Sequence, residues 1–206
     1  MNAEDLLNVC PVIPVVVLRD ADHAVPLARA LVAGGLPAVE VTLRTPAALE
    51  AIKRIAAEVP EAVVGAGTVV TAAQAAQAAG AGARFLVSPG CTDTLRRAMT
   101  DTGLPFLAGV SSASEAMALL EHGITAMKFF PAQAAGGPAY LKALAGPLPQ
   151  VRFCPTGGIT PQTAPDYLAL PNVGCVGGSW LAPEEAMRAG AWDRIRQLAR
   201  QAAALR

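Results

Sequence analysis

Val39-Glu40-Val41-Thr42-Leu43-Arg44-Thr45-Pro46 is the stretch on which the architecture turns. Val39, Val41 and Leu43 alternate with Glu40, Thr42 and Arg44, the period of a strand with one apolar and one polar face. Thr45-Pro46 follows at once, a capping hydroxyl ahead of a proline suited to a first helical turn, and the spacing predicts a helix over 47–58. A strand that runs directly into a helix is one βα unit.

The unit recurs. β-rich runs at 12–18, 38–43, 62–65, 84–88, 105–110, 126–130, 151–155 and 173–176 are separated by alanine-rich helical segments such as 72–79 and 115–121. Thr160-Pro161 repeats the Thr-Pro start, and Ser112-x-x-Glu115 has capping-box spacing. Gly34-Gly35, Gly80, Gly103 and Gly123 mark helix ends. Eight repeats in 206 residues predict an α/β fold, a (β/α)8 TIM barrel forming a single domain over 1–206. A short helix at 4–9 precedes the first strand, and 191–205 closes the chain as a helix. A doubly wound sheet is the alternative, but Leu18-Arg19-Asp20-Ala21-Asp22 stands where a Gly-x-Gly-x-x-Gly would follow the first strand. In a barrel the apolar face of 39–44 packs on helices and the polar face points inward. An inward carboxylate and guanidinium need partners or a ligand, and a structural ion pair across the interior is the competing explanation.

Composition narrows the function classes. Hydrophobic residues make up 53%, charged residues 16%, and the formal net charge is zero. The absence of a basic run and the shortage of aromatic platforms argue against nucleic acid as partner. No apolar run has the length of a membrane span, and the acidic start Met1-Asn2-Ala3-Glu4-Asp5 is unlike a signal peptide. Cys10, Cys91, Cys154 and Cys175 are irregularly spaced, and His23 and His122 are the only histidines. The expectation is therefore no metal site, buried thiols at 10, 154 and 175 in a reducing cytoplasm, and an incidental Cys91. His23 and His122 read as helix residues, and Trp180 and Trp192 as packing residues.

Only three lysines occur, and Lys128 alone lies within an otherwise apolar strand, Ala126-Met127-Lys128-Phe129-Phe130. Desolvation disfavours an ammonium there, and a neutral amine can attack a carbonyl to form a Schiff base. A lysine that snorkels out of the strand end is the alternative. Phe130 shares its face. The third run ends in Gly65-Ala66-Gly67-Thr68, the seventh in Thr156-Gly157-Gly158-Ile159-Thr160-Pro161 and the eighth in Gly177-Gly178-Ser179. Glycine-rich turns after strands seven and eight are the usual phosphate site of such barrels, built from backbone N–H groups and a helix N-terminus. Pro89, after strand four, and Ser111-Ser112, after strand five, are further candidates to line the mouth.

Six segments carry a resemblance over nearly the whole chain: Val39–Thr45, Val64–Val69, Ser88-Pro89-Gly90, Lys128-Phe129-Phe130-Pro131-Ala132, Arg152–Ile159 and Gly177-Gly178-Ser179-Trp180. Together they resemble the class I aldolase family that cleaves 2-keto-3-deoxy-6-phosphogluconate and 4-hydroxy-2-oxoglutarate, a family of the Entner–Doudoroff pathway. The likeness implies Lys128 as the Schiff-base lysine and Glu40 as the general acid/base. It implies Arg44 and Thr68 on the pyruvyl carboxylate, with Phe130 packed beside it. Gly157, Gly158, Gly178 and Ser179 would take the phosphate. A threonine at the position of Thr156 accompanies, in the family, preference for the gluconate-derived epimer over the galactonate-derived one. Family members are cytoplasmic homotrimers that use neither cofactor nor metal. Where the family often has Glu and Asn after the lysine strand, this chain reads Ala132-Gln133-Ala134-Ala135. The expected reaction is cleavage of a small phosphorylated keto acid to pyruvate and glyceraldehyde 3-phosphate, with 4-hydroxy-2-oxoglutarate as second substrate. The rivals are an aldolase for the other epimer, a phosphate-handling isomerase or synthase with Lys128 as an acid, and a binding scaffold without turnover.

Overall fold

The computed structural model describes residues 1–205. Eight parallel strands follow one another around the sheet: β1 (Val12–Val16), β2 (Ala38–Thr42), β3 (Val63–Gly67), β4 (Leu86–Val87), β5 (Phe106–Val110), β6 (Ala126–Phe129), β7 (Arg152–Pro155) and β8 (Val176–Gly178). Consecutive strands pair from β1 through β7, and β8 pairs with β1. Between β7 and β8 the ring is completed by isolated parallel bridges, Phe153 with Val173 and Thr156 with Gly177. Consecutive order with closure is the expected (β/α)8 barrel and rules out the doubly wound sheet.

The helices form the outer layer: α1 (Ala3–Asn8), α2 (Ala24–Ala33), α3 (Ala48–Glu58), α4 (Ala72–Gly80), α5 (Asp93–Asp101), α6 (Ala113–Leu120), α7 (Gly137–Leu144), α8 (Ala164–Leu168), α9 (Glu184–Arg188) and α10 (Trp192–Ala203). Val39 and Val41 are fully buried toward this layer, as the alternation in β2 requires. α2 and α10 approach closely at their ends, where a Cβ on Gly34 would fall 2.4 Å from that of Ala199. α1 seals the floor of the barrel. Leu6 and Leu7 are completely buried, and Glu4 bridges Thr125 at 3.0 Å and Arg152 at 3.4 Å, both at the N-terminal ends of strands.

Strand and helix limits differ from expectation in instructive places. β3 runs on through Gly67, and β8 starts later, at Val176, and ends at Gly178. Their glycines belong to the sheet because bulky neighbours occupy the space a side chain would need. A Cβ on Gly65 would lie 2.4 Å from the Phe85 ring, one on Gly177 2.2 Å from Thr156 Oγ1, and one on Gly178 2.4 Å from the Trp180 indole. Neither Thr-Pro pair caps a helix. Thr45 Oγ1 donates instead to the Leu18 carbonyl, tying the β2 exit to the β1 exit, and α3 begins at Ala48. Thr160 pairs with Thr163 within a turn, and α8 begins at Ala164. Gly80 is the last residue of α4, and the left-handed turn after it falls on Gly82.

Cys10, Cys154 and Cys175 are buried, and Cys91 is half-buried with its thiol pKa pushed up by desolvation. His23 lies in a short 3-10 turn, edge-on to the Trp192 ring at 5.7 Å, and His122 follows α6. Among the described residues no helix is long and apolar enough to cross a membrane.

The capping box at α6 forms as its spacing predicts. Ser112 Oγ accepts from the Glu115 backbone N–H, and the Glu115 carboxylate accepts the N–H groups of Ser111 at 2.6 Å and Ser112 at 2.9 Å. These bonds, led by the Ser111 N–H, hold the Glu115 carboxyl below its ordinary pKa. A depressed folded-state pKa stabilises the fold above the unfolded value and loses that contribution as pH falls through the folded one. Glu115→Gln should therefore lower the denaturation midpoint at neutral pH, and its deficit against wild type should shrink as pH falls through the folded-state value. A deficit that stays constant with pH would assign the effect to shape rather than charge.

Candidate active site

The two charged groups singled out on strands meet inside the barrel. Lys128, in the middle of β6, is 4% exposed and Glu40, in the middle of β2, is 3% exposed. Lys128 Nζ stands 3.4 Å from Glu40 Oε1, a buried ion pair between strands on opposite sides of the ring. Snorkelling is thereby excluded as the account of Lys128. The backbone of β2 explains the aim of Glu40: period two turns residue 40 inward while 39 and 41 face helices. Its long side chain then leans across Gly67, where a Cβ would sit 2.0 Å from Oε1. Only a glycine leaves that path open. Thr42, also inward and fully buried, is satisfied by the Val16 carbonyl at 2.9 Å.

Around this pair the strand ends bring further groups together. The Phe130 ring centroid is 5.3 Å from Lys128 Nζ. Arg44 Nε donates to Thr68 Oγ1 at 3.1 Å, joining the β2 and β3 exits. Thr68 holds φ +58°, a left-handed conformation unusual for a β-branched residue, which turns its hydroxyl to that guanidinium.

A cavity of about 220 Å³ opens beside these groups, lined by Arg44, Phe130, Thr156, Gly157, Gly158 and Ser179 among others. Gly157 and Gly158 have φ of +105° and +75°, so their turn is one that only glycine adopts without strain. The turn after β7 and the turn after β8 thus face one space, as expected of a phosphate site. The expected helix N-terminus is absent from it, because α8 and α9 each begin several residues beyond their glycine turn. What an anion would meet is backbone N–H groups, the Ser179 hydroxyl and the Arg44 guanidinium.

Among the described residues, Lys128, Glu40 and Thr68 stand beside this cavity without lining it, and Pro89, Gly178, Ser111 and Ser112 do not line it either. The backbone of Pro89 packs on β5, where a Cβ on Gly109 would be 2.3 Å from its carbonyl carbon, and Gly109 registers with Lys128. Gly178 is covered by Trp180, and its neighbour Gly177 lines the space instead. Gly177, Val15, Ile159 and the clearance at Gly67 were not among the expected site residues. For Gly67 the signal was the Gly65-Ala66-Gly67 repeat, readable only as a turn without knowledge of what crosses it. No group of three or more His, Cys, Asp or Glu side chains is placed to hold a metal ion among the described residues.

This arrangement can hold a carboxylate at a guanidinium–hydroxyl pair, bring a carbonyl to a shielded amine, and move a proton at the adjacent carboxylate. The chain is similar to several known aldolases. The "KHG/KDPG aldolase" of Escherichia coli is 54% identical over 201 residues, covering 98% of this chain and 94% of that protein. The "2-dehydro-3-deoxy-phosphogluconate aldolase" of Pseudoalteromonas atlantica is 53% identical over 204 residues, covering 99% and 95%. Among solved structures, the KDPG aldolase of Legionella pneumophila, described with pyruvate captured at low pH as a covalent carbinolamine intermediate, superposes with a TM-score of 0.97 at 46% identity over 99% of each chain. The family described as "Aldolase: KDPG and KHG aldolase" matches residues 3–198, and the chain belongs to this family of lyases.

Proposed function

We propose that the chain cleaves 2-keto-3-deoxy-6-phosphogluconate to pyruvate and glyceraldehyde 3-phosphate, and 4-hydroxy-2-oxoglutarate to pyruvate and glyoxylate, through a Schiff base on Lys128. The observation that carries this reading is the buried Lys128–Glu40 pair at 3.4 Å, with the Phe130 ring standing between Lys128 and the cavity lined by the two glycine turns. The names of the similar enzymes from Escherichia coli and Pseudoalteromonas atlantica support the substrates. The carbinolamine described for the Legionella enzyme supports the route, since a carbinolamine is the adduct of an amine with a carbonyl. The proposal includes a cytoplasmic homotrimer of single-domain subunits, a reading that the family likeness supports.

Glu40 takes a proton from the Lys128 ammonium, and the freed Nζ lone pair attacks C2 of the keto acid. The carbonyl oxygen takes one proton from the attacking nitrogen and a second from Glu40 and leaves as water, giving the protonated imine. Arg44 and Thr68 hold the adjacent carboxylate, with the planar fork of the guanidinium matching its two oxygens. The imine draws electrons from the C3–C4 bond as the C4 hydroxyl loses its proton to Glu40, directly or through a water. The aldehyde departs, C3 of the enamine is reprotonated, and water returns the imine to pyruvate and the free lysine. Phosphate held by the glycine turns and Ser179 supplies remote binding energy that fixes the reacting bond. Thr156, buried beside Gly177, favours the gluconate-derived epimer in this proposal.

Borohydride added with pyruvate should fix a reduced adduct on Lys128, found by peptide mass, and Lys128→Ala should lack both adduct and turnover. Modification at Lys53 or Lys142 instead would overturn the assignment. Gly67→Ala should cut kcat by about 100-fold or more by displacing Glu40 while the far-ultraviolet circular dichroism stays that of the barrel. Unchanged kcat would remove Glu40 from the proton transfers. Ser179→Ala should reduce kcat/KM for the phosphorylated substrate by roughly tenfold and leave 4-hydroxy-2-oxoglutarate little affected; an equal loss on both places the phosphate elsewhere.

A further inference from the structure

The Thr156-Gly157-Gly158 turn has no side chain of its own beyond Thr156, and two successive glycines at positive φ make it a segment with much freedom to lose. It is held from one side by the segment after β6. Ala132 N–H donates to the Thr156 carbonyl at 2.8 Å and Gln133 N–H to the Gly157 carbonyl at 3.0 Å. A Cβ on Gly157 would lie 3.2 Å from the Phe130 ring and 3.4 Å from the α-carbon of Pro131, and one on Gly158 would lie 2.7 Å from that of Gln133. With both carbonyls engaged outward, the turn keeps its shape beside the cavity it lines.

That holding segment is itself a solvent-facing turn, and one side-chain bond ties it down. Tyr167 Oη donates to Gln133 Oε1 at 2.9 Å. Tyr167 is completely buried and stands on α8, the helix reached directly from the glycine turn. The contacts therefore close on themselves: glycine turn to α8, Tyr167 to Gln133, and Gln133 back to Gly157. Gln133 lies in the stretch where the chain departs from the familiar sequence, and it does not line the cavity among the described residues.

We propose that Gln133 and Tyr167 are positioning residues for the phosphate end of the substrate, acting through the backbone of Gly157 and Gly158. The proposal rests on the aldolase reading above. Loss of the bond loosens the turn and weakens recognition of a phosphorylated keto acid, while the chemistry at Lys128 and the binding of an unphosphorylated one are untouched.

Steady-state kinetics of wild type, Tyr167→Phe, Gln133→Leu and the double variant on 2-keto-3-deoxy-6-phosphogluconate and on 4-hydroxy-2-oxoglutarate test it. Each single change should raise KM for the phosphorylated substrate by roughly three- to tenfold, the worth of one neutral hydrogen bond. Changes in kcat, and in both constants for the unphosphorylated substrate, should stay within about twofold. The double variant should be no worse than either single, since both remove one bond. Should Tyr167→Phe fail to fold, Gln133→Leu at its exposed site reports the same bond. Equal losses on both substrates, or an unmoved KM, overturn the clamp alone. A wild type that cleaves neither keto acid overturns the aldolase reading and the clamp with it.

Discussion

An ammonium and a carboxylate locked together in the middle of a protein are the constraint around which this barrel is built. Isolated, either charge would be intolerable in so dry a place, and removing one partner of such a pair costs about 3–5 kcal/mol. Together at 3.4 Å they are tolerated, and the surrounding strands give way to make room. Gly67 yields the path of the Glu40 side chain, and Gly109 stands in register beside Lys128 without adding bulk. A packed interior of branched aliphatic residues, the ordinary filling of this fold, would be more stable and chemically inert. In the proposed mechanism the polar pair is the price of reactivity.

Much of this was legible along the chain. Alternation in residues 39–44 put Glu40 and Arg44 on one face, and Lys128 stood out as a charge in an apolar strand. Each signal is local, with a period or contrast visible within a few residues. The barrel itself followed from the count and order of βα units, because consecutive parallel strands joined by helices leave few topologies open. The Ser112–Glu115 box was equally readable, since both partners lie within one helical turn.

What escaped was non-local. Glycine reads as a turn former, yet Gly65, Gly67 and Gly177 lie in strands because Phe85, Glu40 and Thr156 reach over them from neighbouring positions. Thr45 and Thr160 read as caps, yet their hydroxyls engage Leu18 and Thr163. In both cases the competing partner was set by tertiary packing, which overrides a preference worth only about 1 kcal/mol. The same holds for the cavity at the β7 and β8 exits, where two glycine turns stand without the expected helix terminus, and for Gln133, whose partner Tyr167 is 34 residues away.

The sealed floor has a practical side. Glu4, Leu6 and Leu7 anchor the first helix against the N-terminal ends of the strands, with Met1 left in solvent on that side. A peptide or surface tether joined ahead of Met1 thus emerges at the pole opposite the opening, so the protein can be fastened to a solid support with its mouth facing the bulk liquid.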